Sequence, residues 1–348
     1  MKNAVLILNS SKNNLFDHLI SKISFSYSLK VYYLDQFSYF LKSKIIEEIN
    51  NFINYSKVEL VFFQGDYIDI VDVQFIKKIK VEKKILFLTD DFDTHEVNCI
   101  NGYYCDLVLS TCPLSVLRYK EKKINSYFLP LESNDKIFYD HAIKKDVDVL
   151  FFGKIKADRN NYIEKLKKIN IKFEVIGDNE KNFLNTRDLS KIISKSKIIV
   201  NFSQSGQKNK FYSHATLPFS FYSMKGRPLM AGLCNTLCIS EYSPAIELLF
   251  KKQVPFFYTP EEMVNLIKFY LSNPDMLKKK TTEFYQNSKK FSDSEYFPKI
   301  VSIIENLKTT KKNAYRIPLW YRYIYWKKFI QIFFRKIKKK FYYEKNIK

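Results

Sequence analysis

The sequence predicts an α/β protein of two doubly wound domains followed by a basic aromatic segment. Its 348 residues are enough for two domains of ordinary size. Strand-like and helix-like runs alternate along the chain, and the alternation starts again near Asp146 after the polar connector 133–146. Apolar residues make up 46% of the chain, which supplies ample material for two cores. We therefore divide the chain into domains at 1–140 and 141–310 and a tail at 311–348.

Continuous apolar runs predict the strands of the first domain, and apolar residues at helical spacing predict its helices. The predicted strands are 4–8, 29–34, 58–63, 85–88 and 107–110, and the predicted helices are 15–23, 43–53, 71–79 and 113–119. Strand followed by helix followed by strand is the order of a mostly parallel sheet.

The second domain repeats this order. Its predicted strands are 147–152, 173–176, 197–201, 237–240 and 255–258, and its predicted helices are 161–168, 189–194, a stretch ending near 232, and 244–250. Thr259, Pro260 and Glu262 form a capping box with proline at the first helical position, so helices follow from there to about Lys308.

Charge is concentrated at the C-terminal end. Residues 311–348 contain thirteen Lys or Arg and one acid, Glu344, so they carry +12 of the net charge of +22 and leave +10 for the other 310 residues. The body is thus only mildly basic, and we do not expect nucleic acid to be a partner. The abundance of Lys, Asn and Ile is also typical of an AT-rich genome.

The other compositional features exclude several classes of protein. The five cysteines have no CxxC spacing and predict neither a disulfide framework nor a zinc site; buried thiols are expected instead. No run of 18 apolar residues predicts a transmembrane helix, and the first residues lack a signal-peptide cleavage site. A cytoplasmic protein is expected.

The loop after the strand 147–152 is a candidate phosphate site. Gly153 lets a ligand approach the backbone, and Lys154, Lys156 and Arg159 precede the next helix. An ordinary solvated basic turn would have the same sequence. The GxGxxG and GxxxxGK[ST] patterns of common dinucleotide and P-loop enzymes are absent.

Residues 60–295 resemble the spore-maturation (CgeB-like) group of GT-B glycosyltransferases, of the glycosyl transferase family 1 type. The similarity lies in the order and spacing of several segments: TDD at 89–91, CDLVLSTCPLSVLRYKEK, FLPLESNDKIF, DVLFFGKIKADRNNYIEKLKK, FEVIGD, SKSKIIVNFS, KGRPLMAGLCNTLCISEYSPAIELLF and VPFFYTPEEMVNLIKFYLSNPDMLKKK. This resemblance implies a GT-B fold of two Rossmann-like domains with a cleft between them. It also implies transfer of a sugar from a nucleotide-sugar donor, without a cofactor or a metal.

Carried over residue by residue, the resemblance assigns Gly153, Lys154 and Arg159 to the donor diphosphate and Arg227 to the arginine of an R-x-F-E segment. The pattern then breaks, because Met230 replaces the glutamate that contacts the donor ribose. Tyr222 replaces the upstream acid of the same motif. A shifted helix register would let Glu241 or Glu247 serve instead, and we take Glu247 as the donor-binding candidate. A solvated or capping acid is the alternative for Glu247.

On the acceptor side, an acidic cluster follows the strand 85–88. We take Asp91 and His95 as catalytic candidates for removing the acceptor proton. A polar turn capped by its aspartates is the alternative. His18 and His141 are expected at the surface, and His214 could line the donor site.

The tail segment Pro318–Phe341 mixes nine aromatic residues with a dense set of Lys and Arg. A basic aromatic helix of this kind binds an anionic membrane surface. The alternative, a helix that packs on the first domain, is compatible with lipid binding if 315–326 pack and 327–340 bind lipid.

These features together predict a hexosyltransferase-type enzyme of polysaccharide biosynthesis, peripheral on the inner face of a bacterial cytoplasmic membrane. Its expected partners are a nucleotide-sugar donor and a glycan or lipid-linked acceptor, as in LPS, capsule or glycoprotein synthesis. A non-catalytic GT-B-like membrane scaffold is the alternative, because the carboxylates at 222 and 230 are missing.

Overall fold

A computed structural model describes residues 1–9, 15–36, 42–65, 71–89, 91–155, 159–177, 182–204, 224–308, 315–323, 326, 327, 330 and 334. Lys156, Tyr222 and His214, which the sequence analysis singled out, lie outside these residues. Asp90 lies outside them as well.

The first domain is a six-stranded parallel sheet in the order β2-β1-β3-β4-β5-β6. Its strands are β1 Lys2–Leu8, β2 Tyr27–Tyr33, β3 Leu60–Gln64, β4 Lys83–Leu88, β5 Leu107–Ser110 and β6 Ser126–Phe128. The helices between them are α1 Leu15–Ser24, α2 Lys42–Tyr55, α3 Val73–Lys78, α4 Asp91–Gly102 and α5 Pro113–Glu121. Of these elements, α4 and β6 have no counterpart in the sequence prediction.

The second domain is a five-stranded parallel sheet in the order β11-β10-β9-β7-β8. Its strands are β7 Val147–Phe152, β8 Phe173–Ile176, β9 Ser196–Asn201, β10 Leu237–Glu241 and β11 Phe256–Phe257. Its helices are α6 Arg159–Lys167, α7 Thr186–Lys195, α8 Arg227–Leu233, α9 Pro244–Phe250, α10 Pro260–Ser272 and α11 Pro274–Lys289. Thr259 caps α10 by accepting a hydrogen bond from the backbone N–H of Glu262, as the capping box predicts.

Both sheets are covered on their two faces, because alternate residues of each strand enter different cores. In β1, Val5 and Ile7 pack into one cluster of buried residues, whereas Ala4, Leu6 and Leu8 pack into the cluster on the other face. Two further clusters flank the second sheet in the same way. The predicted class of two doubly wound domains is therefore confirmed.

The chain crosses between the domains twice. The second crossing leads into α12 Asp293–Glu305, whose Phe297, Ile300 and Ile304 pack into the core of the first domain. The sequence-based division assigns these residues to 141–310. The difference arises because apolar helical spacing shows that a helix has a buried face but not which core buries it.

A buried ion pair fastens the two crossings to each other. The ammonium of Lys22 on α1 lies 2.7 Å from the carboxylate of Asp293, and Ser133 in the first crossing donates to the same carboxylate at 2.7 Å. The backbone N–H of Asp293 donates to the carbonyl of Ser133 at 2.8 Å. The junction between the domains is therefore held by specific contacts.

The beginning of the tail packs on the first domain through Tyr315 and Tyr321, as the packing alternative expects, whereas Leu319, Tyr323 and Trp326 of the same segment are exposed. Tyr321 is buried against α3 and α4, and residues 319–323 are helical. All five cysteines are buried and free, as expected. Among the described helices, none is long and apolar enough to cross a membrane.

Candidate functional site: an interdomain cleft and two arginines near Gly153

A cleft of about 480 Å³ lies between the domains. The carboxyl ends of β7 and β8 form one side, where Gly153 and Gly177 follow the strands. The other side is formed by α1 and by the first crossing, which is the connection between β6 and β7. Its lining residues are Asp17, His18, Ser21, Glu132, Asn134, Ile137 and Phe138. The carboxyl edge of a parallel α/β sheet is where this architecture binds ligands.

Two glycines shape the floor of the cleft. Gly153 has φ +116° and Gly177 has φ +74°, which are conformations that other residues rarely adopt. A Cβ at Gly153 would collide with the guanidinium of Arg227, whereas a Cβ at Gly177 would lie 3.6 Å from the nearest atom, the backbone nitrogen of Gly153. Gly153 is therefore required for the approach of Arg227 to the end of β7.

The side chain of Arg227 lies directly against this turn. Its Nε donates to the carbonyl of Phe152 at 2.6 Å, and its Nη1 donates to Oδ1 of Asn201 at 3.4 Å. The guanidinium lies 5.3 Å from the ring centroid of Phe151 and 5.6 Å from that of Phe152. Burial, together with the nearby charge of Arg159, lowers the pKa of Arg227 to about 10.

Arg159 begins α6 on the other side of the loop. Its two terminal nitrogens donate to the carbonyls of Lys154 and Gln204, each at 3.1 Å. Burial lowers the pKa of Arg159, and the charge of Glu241 opposes that shift. In the described part of the chain, neither Arg159 nor Arg227 forms a salt bridge with a carboxylate.

Two partly buried guanidiniums that repel each other and form no salt bridge with a carboxylate in the described chain are chemically suited to an anionic ligand. Partly buried charge is costly unless an opposite charge compensates it, and guanidinium groups match phosphate oxygens in geometry. The sequence-predicted residues Gly153, Arg159 and Arg227 lie close together, and of the three only Gly153 lines the cleft. Lys154 follows Gly153 with an exposed side chain, so it lies beside this group.

The two glutamates near β10 have different surroundings. The carboxylate of Glu241 accepts hydrogen bonds from the backbone N–H groups of Ser203 and Gln204 at 2.9 and 2.8 Å, so it fixes the turn after β9. Glu247 is exposed on α9 and accepts a hydrogen bond from the Tyr242 hydroxyl at 2.9 Å. Glu247 does not line the cleft, and its role in donor binding stays a prediction.

Met230 lines the cleft at the position where the resemblance expects a carboxylate. It lies with Ile176, Leu184 and Leu189 on an apolar wall of the second domain. A ligand on this wall would make van der Waals contacts in place of a charged contact with a carboxylate.

Asp91 and His95, the predicted catalytic pair, lie in the interior of the first domain. Asp91 is 0% exposed and His95 is 2% exposed, and neither lines the cleft. The Asp91 carboxylate accepts hydrogen bonds from Tyr119, Asn98 and Ser110 at 2.8, 3.0 and 3.1 Å. These bonds and the neighbouring His95 outweigh burial and lower the pKa of Asp91. A carboxylate enclosed in this way is a structural group, so we do not retain this pair as acceptor-side bases.

His18 and Glu132 lie on the first-domain side of the cleft, where a base for the acceptor was expected from Asp91 or His95. His18 lies on α1 and lines the cleft, with its ring centroid 6.3 Å from that of Phe138. Glu132 also lines the cleft, and a Cβ on Gly226, next to Arg227, would collide with its carboxyl group. Burial raises the pKa of Glu132, and the charges of His18, Lys22 and Lys225 oppose that shift.

The sequence contained a signal for His18. The α1 helix follows the first strand of a doubly wound domain, so its first turns lie near the carboxyl edge of the sheet. The expectation that His18 is a surface residue overlooked this. His141, by contrast, hydrogen-bonds to Ser190 Oγ at 2.9 Å outside the cleft. Within the described residues, no group of His, Cys, Asp and Glu side chains is arranged as a metal site.

Comparisons with known proteins agree with this architecture. Residues 159–291, which span most of the second domain, match a family model described as glycosyl transferase-like. No curated protein matches the chain by sequence.

Several solved structures have the same fold. The sucrose-phosphate synthase of Thermosynechococcus elongatus is 9% identical, with a TM-score of 0.62 over 88% of this chain and 99% of that one. HepE of Anabaena, solved in complex with UDP-glucose, is 10% identical, with a TM-score of 0.62 over 87% and 100% of the two chains. A glycosyltransferase of Rickettsia africae is 12% identical, with a TM-score of 0.59 over 88% and 98%. The protein therefore has the GT-B fold of glycosyltransferases, with a second domain that matches a glycosyl transferase-like family.

Proposed function

We propose that the protein is a glycosyltransferase that takes a sugar from a nucleoside-diphosphate donor bound in the interdomain cleft. The observation that carries the proposal is the pair Arg159 and Arg227, which lie beside Gly153 without a carboxylate partner among the described residues. The similar fold of HepE, whose structure holds UDP-glucose, supports a donor of this class.

The proposed chemistry follows from the placement of these groups. The acceptor hydroxyl attacks the anomeric carbon, a new glycosidic bond forms, and the bond from that carbon to the diphosphate oxygen breaks. The guanidiniums of Arg159 and Arg227 stabilise the negative charge that develops on the leaving diphosphate. In an inverting reaction, His18 or Glu132 across the cleft takes the proton from the acceptor hydroxyl. The raised pKa of Glu132 suits a base, because it gives the carboxylate a greater proton affinity.

The proposed acceptor is a surface glycan, free or lipid-linked, and the proposed location is the cytoplasmic face of a bacterial membrane. The basic aromatic tail motivates this part of the proposal. Membership of the spore-maturation group, hexosyl transfer, activity without a metal and the absence of nucleic-acid partners also stay predictions.

A screen for thermal stabilisation tests the donor part of the proposal. A ligand that binds only the folded protein raises Tm by mass action. UDP, GDP, dTDP and CMP are compared with their sugar conjugates, and at least one nucleoside diphosphate is expected to raise Tm. If no nucleotide raises Tm, the donor site is contradicted.

The acid–base part has its own test. The variants His18→Gln and Glu132→Gln are assayed with the stabilising donor and a glycan acceptor. The variant that removes the base is expected to lower kcat about 10²-fold or more and to keep its affinity for the donor. Asp17→Asn, on the same helix and in the same cleft, is the matched control and should retain kcat. Unchanged kcat in both variants would remove these two residues from the mechanism.

A non-catalytic scaffold is the second candidate, and Met230 favours it. This apolar side chain lies where the resemblance expects the carboxylate that contacts the donor ribose. The scaffold candidate predicts no turnover with any nucleotide sugar, so a single measured turnover with release of the nucleotide rejects it.

A further inference from the structure

The first residues of the tail are fixed to the outside of the first domain. The hydroxyl of Tyr321 donates to Oδ1 of Asn101 at 3.0 Å, and the hydroxyl of Tyr104 donates to the carbonyl of Tyr315 at 2.6 Å. The rings of Tyr103 and Tyr315 stack with centroids 3.9 Å apart. The tail helix, which we define as the helical residues 319–323, 326, 327, 330 and 334, therefore starts from an anchored position.

The tail helix carries a row of large apolar side chains that face away from this anchor. A helix turns about 100° per residue, so positions 319, 323, 326, 330 and 334 fall within an arc of about 80°, and Tyr321 lies roughly opposite. All five residues in the row are exposed: Leu319 at 79%, Tyr323 at 64%, Trp326 at 60%, Ile330 at 48% and Phe334 at 59%. Tyr321 itself is 4% exposed. One face of the helix thus packs on the domain while the other presents aromatic and aliphatic groups outward.

Cations accompany this apolar row. The tail carries +12 between 311 and 348, and its sole acid is Glu344. The folded domain adds Lys77, which is exposed on α3 one turn after Val73, a residue of the cluster that buries Tyr321. The Lys77 ammonium lies 5.4 Å from the ring centroid of Tyr104, and Tyr104 hydrogen-bonds to the tail. The positive charge therefore includes the domain surface beside the anchor.

We propose that this composite surface, the outward row of the tail helix with Lys77 of α3, seats the protein on an anionic lipid bilayer. Aromatic and aliphatic groups on one face of a helix enter the boundary between headgroups and acyl chains. Lys and Arg near that boundary attract anionic headgroups, at about fivefold in affinity per residue. Because the helix is anchored through Tyr315 and Tyr321, the first domain is the one held at the membrane.

A second copy of the chain would also cover an apolar row, but the charge argues against it. Two copies meeting through this surface would bring two +12 tails together, and like charges in contact disfavour association. An acidic lipid surface compensates the same charge. The inference deepens the membrane location given under the proposed function and rests on it only for that location. Its test is independent of glycosyl transfer, because lipid binding needs no nucleotide.

Flotation of the full-length protein with vesicles tests the proposal. Vesicles of phosphatidylcholine with phosphatidylglycerol are expected to carry the protein, and vesicles of phosphatidylcholine alone are expected to leave most of it behind. Binding to the anionic vesicles should weaken as ionic strength rises. Equal binding to both vesicles, or binding to neither, would overturn the proposal.

Matched variants locate the surface. Leu319→Ser and Ile330→Ser should each weaken partition onto anionic vesicles by roughly tenfold, whereas Leu248→Ser, an equally apolar change at a 47% exposed position on α9, should leave it unchanged. Lys77→Gln should weaken partition about fivefold, whereas Lys278→Gln on the exposed side of α11 should not.

If the control variants reduce binding as much as the tail variants do, the surface is not the one proposed. If Leu319→Ser lowers only the oligomeric state seen by light scattering, a second copy is the occupant and the lipid proposal fails.

Discussion

The two domains have the same architecture, but the carboxyl edge of the first sheet is enclosed within its domain and that of the second sheet opens to the cleft. In the first domain, the edge of β4 and β5 is closed by the Asp91 network, whose carboxylate receives three hydrogen bonds from within the domain. In the second domain, the edge of β7 and β8 opens to the cleft at Gly153 and Gly177. The guanidiniums of Arg159 and Arg227 lie behind this edge and form no salt bridge with a carboxylate in the described chain. Similar folds therefore enclose a carboxylate in hydrogen bonds at one edge and leave two guanidiniums without a carboxylate partner in the described chain at the other.

The largest expected effect comes from breaking the closed network. Asp91→Ala removes the buried acceptor of the Ser110 and Tyr119 hydroxyls and one of the two acceptors of the Asn98 amide, which keeps its bond to Thr94. We expect the free energy of unfolding to fall by about 3–5 kcal/mol, measured by urea denaturation, with no change in nucleotide affinity at temperatures where the variant is folded.

Glu96→Gln is the control on the same helix, because its salt bridge with Arg118 is exposed and should contribute little. Loss of nucleotide binding by a folded Asp91→Ala protein would contradict the division between a structural edge and a binding edge.

Gly153→Ala should lower both the stability of the protein and its affinity for nucleotide. The side chain imposes a strained backbone at φ +116° and collides with Arg227, so we expect a loss of roughly 1–3 kcal/mol in stability together with loss of nucleotide binding. Calorimetry and thermal melting measure the two effects separately.

Gly177→Ala separates the effect of backbone strain from the effect of a collision with Arg227. It also imposes positive φ, but its nearest neighbour lies at 3.6 Å, so it should lower Tm while retaining most of the nucleotide affinity. Equal loss of binding in the two variants would show that the placement of Arg227 is not the determinant.

Arg227→Lys sharpens the comparison further, because it keeps a positive charge and removes the fork of donors. We expect nucleotide affinity to fall roughly 10- to 100-fold, since charge-assisted hydrogen bonds contribute about 1.5–3 kcal/mol. Arg118→Lys, at an exposed arginine of the first domain, is the matched control and should bind nucleotide like the unaltered protein.

Lys145 is a cation of the second domain whose ammonium is hydrogen-bonded within that domain. Its expected effect is a small change of stability per pH unit. Its ammonium donates to the carbonyls of Ser194 and Ser196 and to Oγ1 of Thr236, each at 2.9 Å, and burial lowers its pKa to about 8. The unfolded chain, with the ordinary Lys pKa of 10.5, binds more protons between these values. Stability attributed to this group therefore rises as pH increases from about 8 towards 10.5, and is lost as pH falls back through 8.

The slope should not exceed about 1.4 kcal/mol per pH unit. Denaturation of the unaltered protein and Lys145→Met across this range measures it. If the variant shows the same pH slope, Lys145 is not its source.

The sequence was sufficient for elements made of uninterrupted apolar runs, and the strands 107–110, 147–152 and 173–176 were predicted with their observed bounds. The α4 helix was missed because its inward positions include Asp91, His95 and Asn98, so the apolar spacing that marks a helix is absent. The β6 strand was missed because its three residues, SYF, are too short to show a pattern.

The same limits apply to the site. Gly153, Arg159 and Arg227 could be identified because each occupies a recognisable place next to a strand or helix of one domain. Glu132 and His18 join them only through the relative placement of the two domains, which depends on contacts such as Lys22 with Asp293 between residues far apart in sequence. Local periodicity contains no information on such contacts.

Titration calorimetry of nucleoside diphosphates into the unaltered protein and Arg159→Gln tests whether the edge of β7 and β8 binds the donor diphosphate. Arg159 donates to two carbonyls at a helix start and lies 5.8 Å from the ring centroid of Phe202. The variant should stay folded, which its Tm verifies. The account predicts binding of at least one nucleoside diphosphate by the unaltered protein and an affinity at least tenfold lower in Arg159→Gln. Equal affinity in the two proteins would contradict the assignment of the open edge as the diphosphate site.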